Sequence, residues 1–159
     1  MFYDKAANAA KVNEKNFIDI FNRKFSKLGF TCETANADNW YNAIDAFINY
    51  NGYKIFDVEI KTRNDWNGGF FQFNTFAISK NKIDRIKTAR TLLIFTDCDF
   101  INLYFYINMQ SIKNFPCESF KRFDRNEIQK VYKIPKEYLF NGWDNLQKTL
   151  IQFKINTVF

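Results

Sequence analysis

Asp45-Ala-Phe-Ile-Asn-Tyr-Asn-Gly-Tyr-Lys-Ile-Phe-Asp57-Val-Glu59-Ile-Lys61 decides how this chain folds and where its chemistry lies. Asn51-Gly52 is a tight-turn pair, and the runs 41–49 and 53–62 on either side of it read as the two strands of a β-hairpin. Side chains on a strand alternate between faces. Asp57, Glu59 and Lys61 therefore share one face, and Phe56, Val58 and Ile60 share the other. Carboxylates side by side on one face repel each other unless a cation joins them. A divalent metal with oxygen ligands resolves that repulsion, and a lysine beside it can act on a water or a phosphate.

The hairpin also makes a geometric demand. A regular two-residue turn pairs Tyr50 with Tyr53 and hence Asp45 with Val58, which puts Asp45 on the face away from Glu59. Asp45 reaches the face of Glu59 in two ways. One is a three-residue loop of Tyr50, Asn51 and Gly52, with Gly52 left-handed. The other is an even loop with a compensating bulge before Asp57. One of these two arrangements is expected.

Outward from the hairpin, residues 4–28 read as a helix capped by Asp4 and stopped by Gly29. Its apolar stripe comprises Val12, Phe17, Ile18, Phe21, Phe25 and Leu28. Residues 30–35 suit a short strand, and 63–69 a loop given freedom by Gly68-Gly69. Residues 78–90 read as a basic helix, with Ile83 and Ile86 toward the sheet. Thr91–Thr96 is an apolar run suited to a buried strand, and 101–107 alternates as another. Beyond Ser111 the pattern weakens, with a short strand at 138–140 and a final helix over 143–154 turning Leu146, Leu150 and Phe153 inward. Trp40 and Trp143 are assigned to packing. The expectation is one α/β domain over 1–159, with a core of about 4–107 and a C-terminal extension over 108–159. Its mixed central sheet is flanked by helices.

Composition narrows the chemistry. The chain has 159 residues, 47% of them hydrophobic, enough for a substantial core. It contains no histidine, which removes Ser-His and Cys-His catalysis and histidine metal sites. Any catalysis runs on carboxylates, Lys, Tyr or metal. Cys32, Cys98 and Cys117 are widely spaced, so neither a zinc knuckle nor a disulfide framework is suggested. A reduced intracellular, cytoplasmic setting is expected. No apolar leader and no run of membrane-spanning length is seen, so no membrane partner is expected. The net charge of +6 fits an anionic partner such as nucleic acid.

Asp45, a gap, then Glu59-Ile60-Lys61, set in an αβββαβ order of elements, resembles the PD-(D/E)xK nuclease superfamily over about residues 4–107. Ile44 stands where the nominal motif has Pro. The resemblance implies a restriction-endonuclease-like core and a metal-dependent endonuclease cutting DNA, structure-directed or of low sequence specificity. The runner-up is a catalytically silent nuclease fold that binds nucleic acid or a protein. In the implied site Asp45, Glu59 and the carbonyl of Ile60 bind Mg²⁺, with Mn²⁺ as an alternative, and Lys61 positions the attacking water. Glu14 lies along the apolar stripe of the first helix. It either points at the metal, as an acid in many members does, or snorkels to water. Gln72 partly matches a Gln that members carry after the E-x-K strand; it either orients Lys61 or a water, or is an exposed amide. Asp57 either supports Lys61 or faces solvent. Lys80 and Lys82 at the start of the basic helix are assigned to phosphate contacts, against the ordinary reading of a solvated helix face. Arg63 is assigned to nucleic-acid binding. Trp66 either stacks on a base or packs on the domain. Members often form homodimers.

Overall fold

The computed structural model describes residues 2–35, 44–66, 71–86, 90–122 and 126–157. Helix α1 runs Phe2–Phe25 and tightens into a 3-10 turn over Ser26–Leu28. Gly29 ends it in the left-handed region at φ 89°, and a Cβ there would stand 2.9 Å from both Asn51 and Tyr50 of the hairpin. The strands are β1 (Phe30–Thr34), β2 (Ala46–Tyr50), β3 (Tyr53–Thr62) and β4 (Thr75–Ser79). Helix α2 (Lys80–Arg85) follows, then β5 (Thr91–Thr96), β6 (Leu103–Tyr106), β7 (Cys117–Arg122), β8 (Glu127–Pro135), β9 (Phe140–Asn141) and helix α3 (Trp143–Thr157).

These strands build two sheets. The larger has the order β1-β2-β3-β5-β6-β9, and the smaller β4-β8-β7. Within the larger, β3 and β5 run parallel and every other neighbouring pair is antiparallel. β3 and β5 lie at its centre, and the apolar character of Thr91–Thr96 follows from that place. All six of its residues are buried, because a central strand covered on both faces cannot alternate with solvent.

Alternate residues of β5 and β6 enter two separate cores. Leu92, Ile94, Leu103 and Phe105 join Phe17, Phe21 and Phe25 of α1 and Trp143, Leu146 and Leu150 of α3. Leu93, Phe95, Tyr104 and Tyr106 join Phe76 and Ile78 of β4, Ile83 of α2, and Tyr132 and Ile134 of β8. The first interior is a helix-on-sheet layer. The second is mainly sheet on sheet.

Several expectations change here. The sheet is mixed as expected, but its second face is covered chiefly by the smaller sheet rather than by a long helix. The basic helix over 78–90 is shorter, Lys80–Arg85, because Ile78 and Ser79 belong to β4. Phe76 and Ile78 alternate inward from that strand, with period two rather than the helical period. Of the expected apolar stripe, Phe17, Phe21 and Phe25 of α1 are buried, whereas Val12 of α1 is 57% exposed and Leu28 of the 3-10 turn 39%. β4, β7 and β8 are strands the sequence reading did not find. Residues after 107 are also more than an appendage: β9 pairs with β6, β8 pairs with β4, and α3 fills the first core. Trp40 and Gly68-Gly69 lie outside the described residues.

Candidate active site

The hairpin meets its geometric demand in the second of the two ways. Its loop is the two-residue turn Asn51-Gly52, with φ 47° and 86°, and Tyr50 pairs with Tyr53. The register then shifts. Asn49 faces Lys54 but Ile48 faces Phe56, so Ile55 is an extra residue bulged out of the ladder. Below the bulge Phe47 faces Asp57 and Ala46 faces Val58. This brings Asp45, the residue before β2, level with the Val58–Ile60 stretch. Its N–H donates to the Val58 carbonyl at 2.9 Å, and its Oδ2 accepts the N–H of Ile60 at 2.8 Å. The carboxylate thus takes a backbone donor where the strand pairing ends.

Glu59 is fully buried. It lies on the face of β3 that looks toward the second core, across from Leu93 of β5. Lys61 Nζ stands 2.9 Å from its Oε1, and Lys82 Nζ stands 3.0 Å from its Oε2. An isolated buried carboxylate would be costly, and these two ammonium groups are what offset it. Burial pushes the Glu59 carboxyl up to about 7; Asp45 adds to the rise, and Lys61 and Lys82 oppose it. Burial draws the Lys61 ammonium down, but the charge and hydrogen bond of Glu59, with Asp45, prevail and raise it. Asp57 is buried on the same face, with Lys54 Nζ 3.1 Å away.

Asp45, Glu59 and Lys61 are therefore brought together. Glu14 comes near by another route. Its Oε1 accepts the hydroxyl of Thr34, the last residue of β1, and the N–H of Ala35 donates to the Asp45 carbonyl at 3.0 Å. Gln72 is exposed in the segment leading into β4, four residues before the buried Phe76.

The residues assigned to nucleic acid divide. Lys80 is on the outer face of α2, paired with Asp84. Lys82 is turned inward to Glu59, beside the site rather than along an outer helix face with Lys80. Residues two apart on a helix are about 200° apart around its axis, so the two lysines point to different sides. Trp66 is 2% exposed, packed edge-on to Phe71 at 5.3 Å and against Tyr104, so it is a core residue and not a base-stacking platform. Arg63 is 26% exposed and forms a two-pronged pair with Asp65, at 3.0 and 2.9 Å, beside the Phe71 ring. That hydrogen-bonded pair holds the Asp65 carboxyl below its ordinary range. The ion pair of Lys82 with Glu59 is the contact at this site that the sequence reading missed. The spacing from Lys80 was its only signal.

Among the described residues no group of three or more His, Cys, Asp or Glu side chains is gathered as a metal cage. Mg²⁺ does not require one, since it is commonly held by one or two carboxylates together with waters and substrate phosphates. The Asp45 and Glu59 carboxylates and the Ile60 carbonyl are hard oxygen donors, and the two acids lie close enough for the charge of one to act on the other. The donor chemistry fits such an ion.

No helix among the described residues is long and apolar enough to cross a membrane. No family model and no curated protein matches the sequence. One solved structure is similar in fold: a nuclease from a fusselovirus, 15% identical, with a TM-score of 0.51, covering 94% of this chain and 92% of that chain. At that identity the likeness is one of architecture, and it spans nearly all of both chains: this chain has the fold of a viral nuclease.

Proposed function

We propose that the protein is a metal-dependent nuclease of the PD-(D/E)xK type that hydrolyses phosphodiester bonds in DNA with little sequence preference. One observation carries the reading: the bulge at Ile55 sets Asp45 beside a fully buried Glu59 that is ion-paired to Lys61. The fold shared with a viral nuclease and the net charge of +6 support it. Asp45, Glu59 and the Ile60 carbonyl would hold Mg²⁺ or Mn²⁺. Bound there, the ion supplies Lewis-acid polarisation of the phosphoryl group and an acidified water. Lys61, 38% exposed at its side chain, presents its ammonium to the attacking water and to the charge that develops on the phosphate. Glu14 buttresses the Asp45 main chain through Thr34 and Ala35.

A second reading, a nuclease fold that binds nucleic acid without cutting it, draws on Lys82. With Lys61 and Lys82 on its two oxygens, Glu59 is charge-compensated without any metal. Incubation with supercoiled, linear, single-stranded and four-way-junction DNA, in Mg²⁺, Mn²⁺ or EDTA, separates the two. Cleavage of at least one substrate with either metal, abolished by EDTA, is expected. Binding without cleavage in both metals supports the silent reading instead.

A further inference from the structure

Lys82 has no place in the motif that led to the site, yet it brings an ammonium from α2 to 3.0 Å from Glu59. With both acids ionised, the two carboxylates, Asp45 and Glu59, and the two ammonium groups, Lys61 and Lys82, balance in charge. A divalent cation added to all four leaves two positive charges in excess in a low-dielectric pocket, and withdrawal of one lysine leaves one. The lone pairs of Glu59 are equally contested. An ion at metal-ligand distance, about 2.1 Å for Mg²⁺, must occupy an oxygen that an ammonium now holds.

The two lysines differ in their freedom to leave. Lys61 projects from the long strand β3, where it is paired with Phe95 of β5, two residues from Glu59 on the same face. Lys82 projects from a six-residue helix that enters and leaves through extended backbone, at Ser79 (φ −59°, ψ 133°) and Ile86 (φ −78°, ψ 116°). Ile83 is the buried residue of that helix. The Lys82 side chain is 20% exposed, so solvent is within reach of a small rotation.

We infer that Lys82 is a built-in counter-ion that occupies the Glu59 carboxylate until a divalent metal displaces it, so that metal binding and the position of α2 are coupled. The inference rests on the metal site proposed above. It makes Lys82 a positioning residue that sets metal affinity, and it frees the Lys82 ammonium for a substrate phosphate only after the metal is in place.

The test is Mn²⁺ binding to the full chain, followed by electron paramagnetic resonance and by calorimetry. Lys82→Met keeps the apolar stem and removes the charge; it should bind Mn²⁺ roughly tenfold more tightly than wild type, within the usual range of coupling between sites. Lys82→Arg keeps the charge and should restore the weaker, wild-type affinity. A second readout is thermal stability. In EDTA, Lys82→Met should melt below wild type, and saturating Mn²⁺ should close the gap. If Lys82→Met fails to fold, Lys82→Gln carries the same expectation. Equal Mn²⁺ affinity in wild type and Lys82→Met, lost in Glu59→Gln, would overturn the counter-ion role and leave the metal site standing. No Mn²⁺ binding by wild type or Lys82→Met would overturn the metal site and the counter-ion role together.

Discussion

Strand β3 shows two ways of burying a side chain, on one stretch of backbone. Phe56, Val58 and Ile60 enter the helix-covered interior, where Phe153 of α3 meets Phe56 with ring centroids 4.5 Å apart. Asp57, Glu59 and Lys61 enter the opposite side, where each carboxylate has been given a lysine. The apolar face draws on area removed from water, about 25 cal/mol per Å², and is indifferent to which neighbour supplies the cover. The charged face is not. Its carboxylates are tolerable because Lys54, Lys61 and Lys82 stand at ion-pair distance. Substitution on one face should therefore change stability, and substitution on the other should change chemistry.

The largest effect is expected on the charged face. Asp45→Ala, Glu59→Ala and Lys61→Ala should each lower the rate of DNA cleavage by about a hundredfold or more, since each removes a group that stabilises transition-state charge. Circular dichroism should show the fold retained. Full activity in Asp45→Ala at native stability would break the assignment. On the opposite face Phe56→Ala should cost about 3–5 kcal/mol in urea unfolding while leaving cleavage per folded molecule unchanged. A loss of activity without loss of stability there would mean that the two faces are not separable.

Glu59 also sharpens the contrast through pH. Its carboxyl is pushed up to about 7, from an ordinary 4.5, chiefly by burial. The folded protein therefore holds this proton more tightly than the unfolded chain does. The resulting stabilisation is fully present below about pH 4.5 and is lost as pH rises through about 7. Glu59→Gln, which mimics the protonated form, should then gain on wild type between pH 5 and pH 8 in EDTA, by an amount on the order of a few kcal/mol. Urea midpoints at the two pH values measure it. A difference that stays flat with pH would show that Lys61 and Lys82 offset burial completely.

The smallest effect on chemistry is expected from a deletion. Ile55 is the extra residue of the bulge, so removing it leaves Ile48 facing Phe56 and Ala46 facing Val58. Cleavage should persist. Stability should fall by about 1.5–3 kcal/mol, the burial of one isoleucine. Loss of cleavage would indicate that the bend of the bulge, and not register alone, places Asp45.

What the sequence made legible was the part whose pattern is local. The hairpin, the run Thr91–Thr96 and the helix ends at Gly29 and Trp143 carry turn residues and periodicities visible in a short window. β7 was illegible because most of Cys117–Arg122 is exposed, so no apolar alternation marks it. In β8, Val131 and Tyr132 are adjacent and both buried, which hides the period of two. β4 was lost to its neighbour: Thr75–Ser79 runs directly into Lys80–Arg85, and one reading absorbed the other. The same error misplaced Lys82, because a helix read as beginning earlier gives no reason to choose which lysine faces in. Of the two readings of Trp66, packing holds; a short window could not choose it because Phe71, Phe76 and Tyr104, which bury it, come from three segments that only the folded chain assembles.

The stack of Trp143 on Phe17, 5.8 Å between ring centroids, has a consequence for synthesis. Chains emerge from the ribosome N-terminal end first, at about 5–20 residues per second. The hairpin with Asp45 and Glu59, and Lys82 of α2, emerge well before Trp143, Leu146 and Leu150. Until those three arrive, the aromatic side of α1 has no α3 to close it, and the first interior stays open to water. The site's residues are thus translated early and buttressed late, so nascent chains halted before Trp143 should stay sensitive to protease.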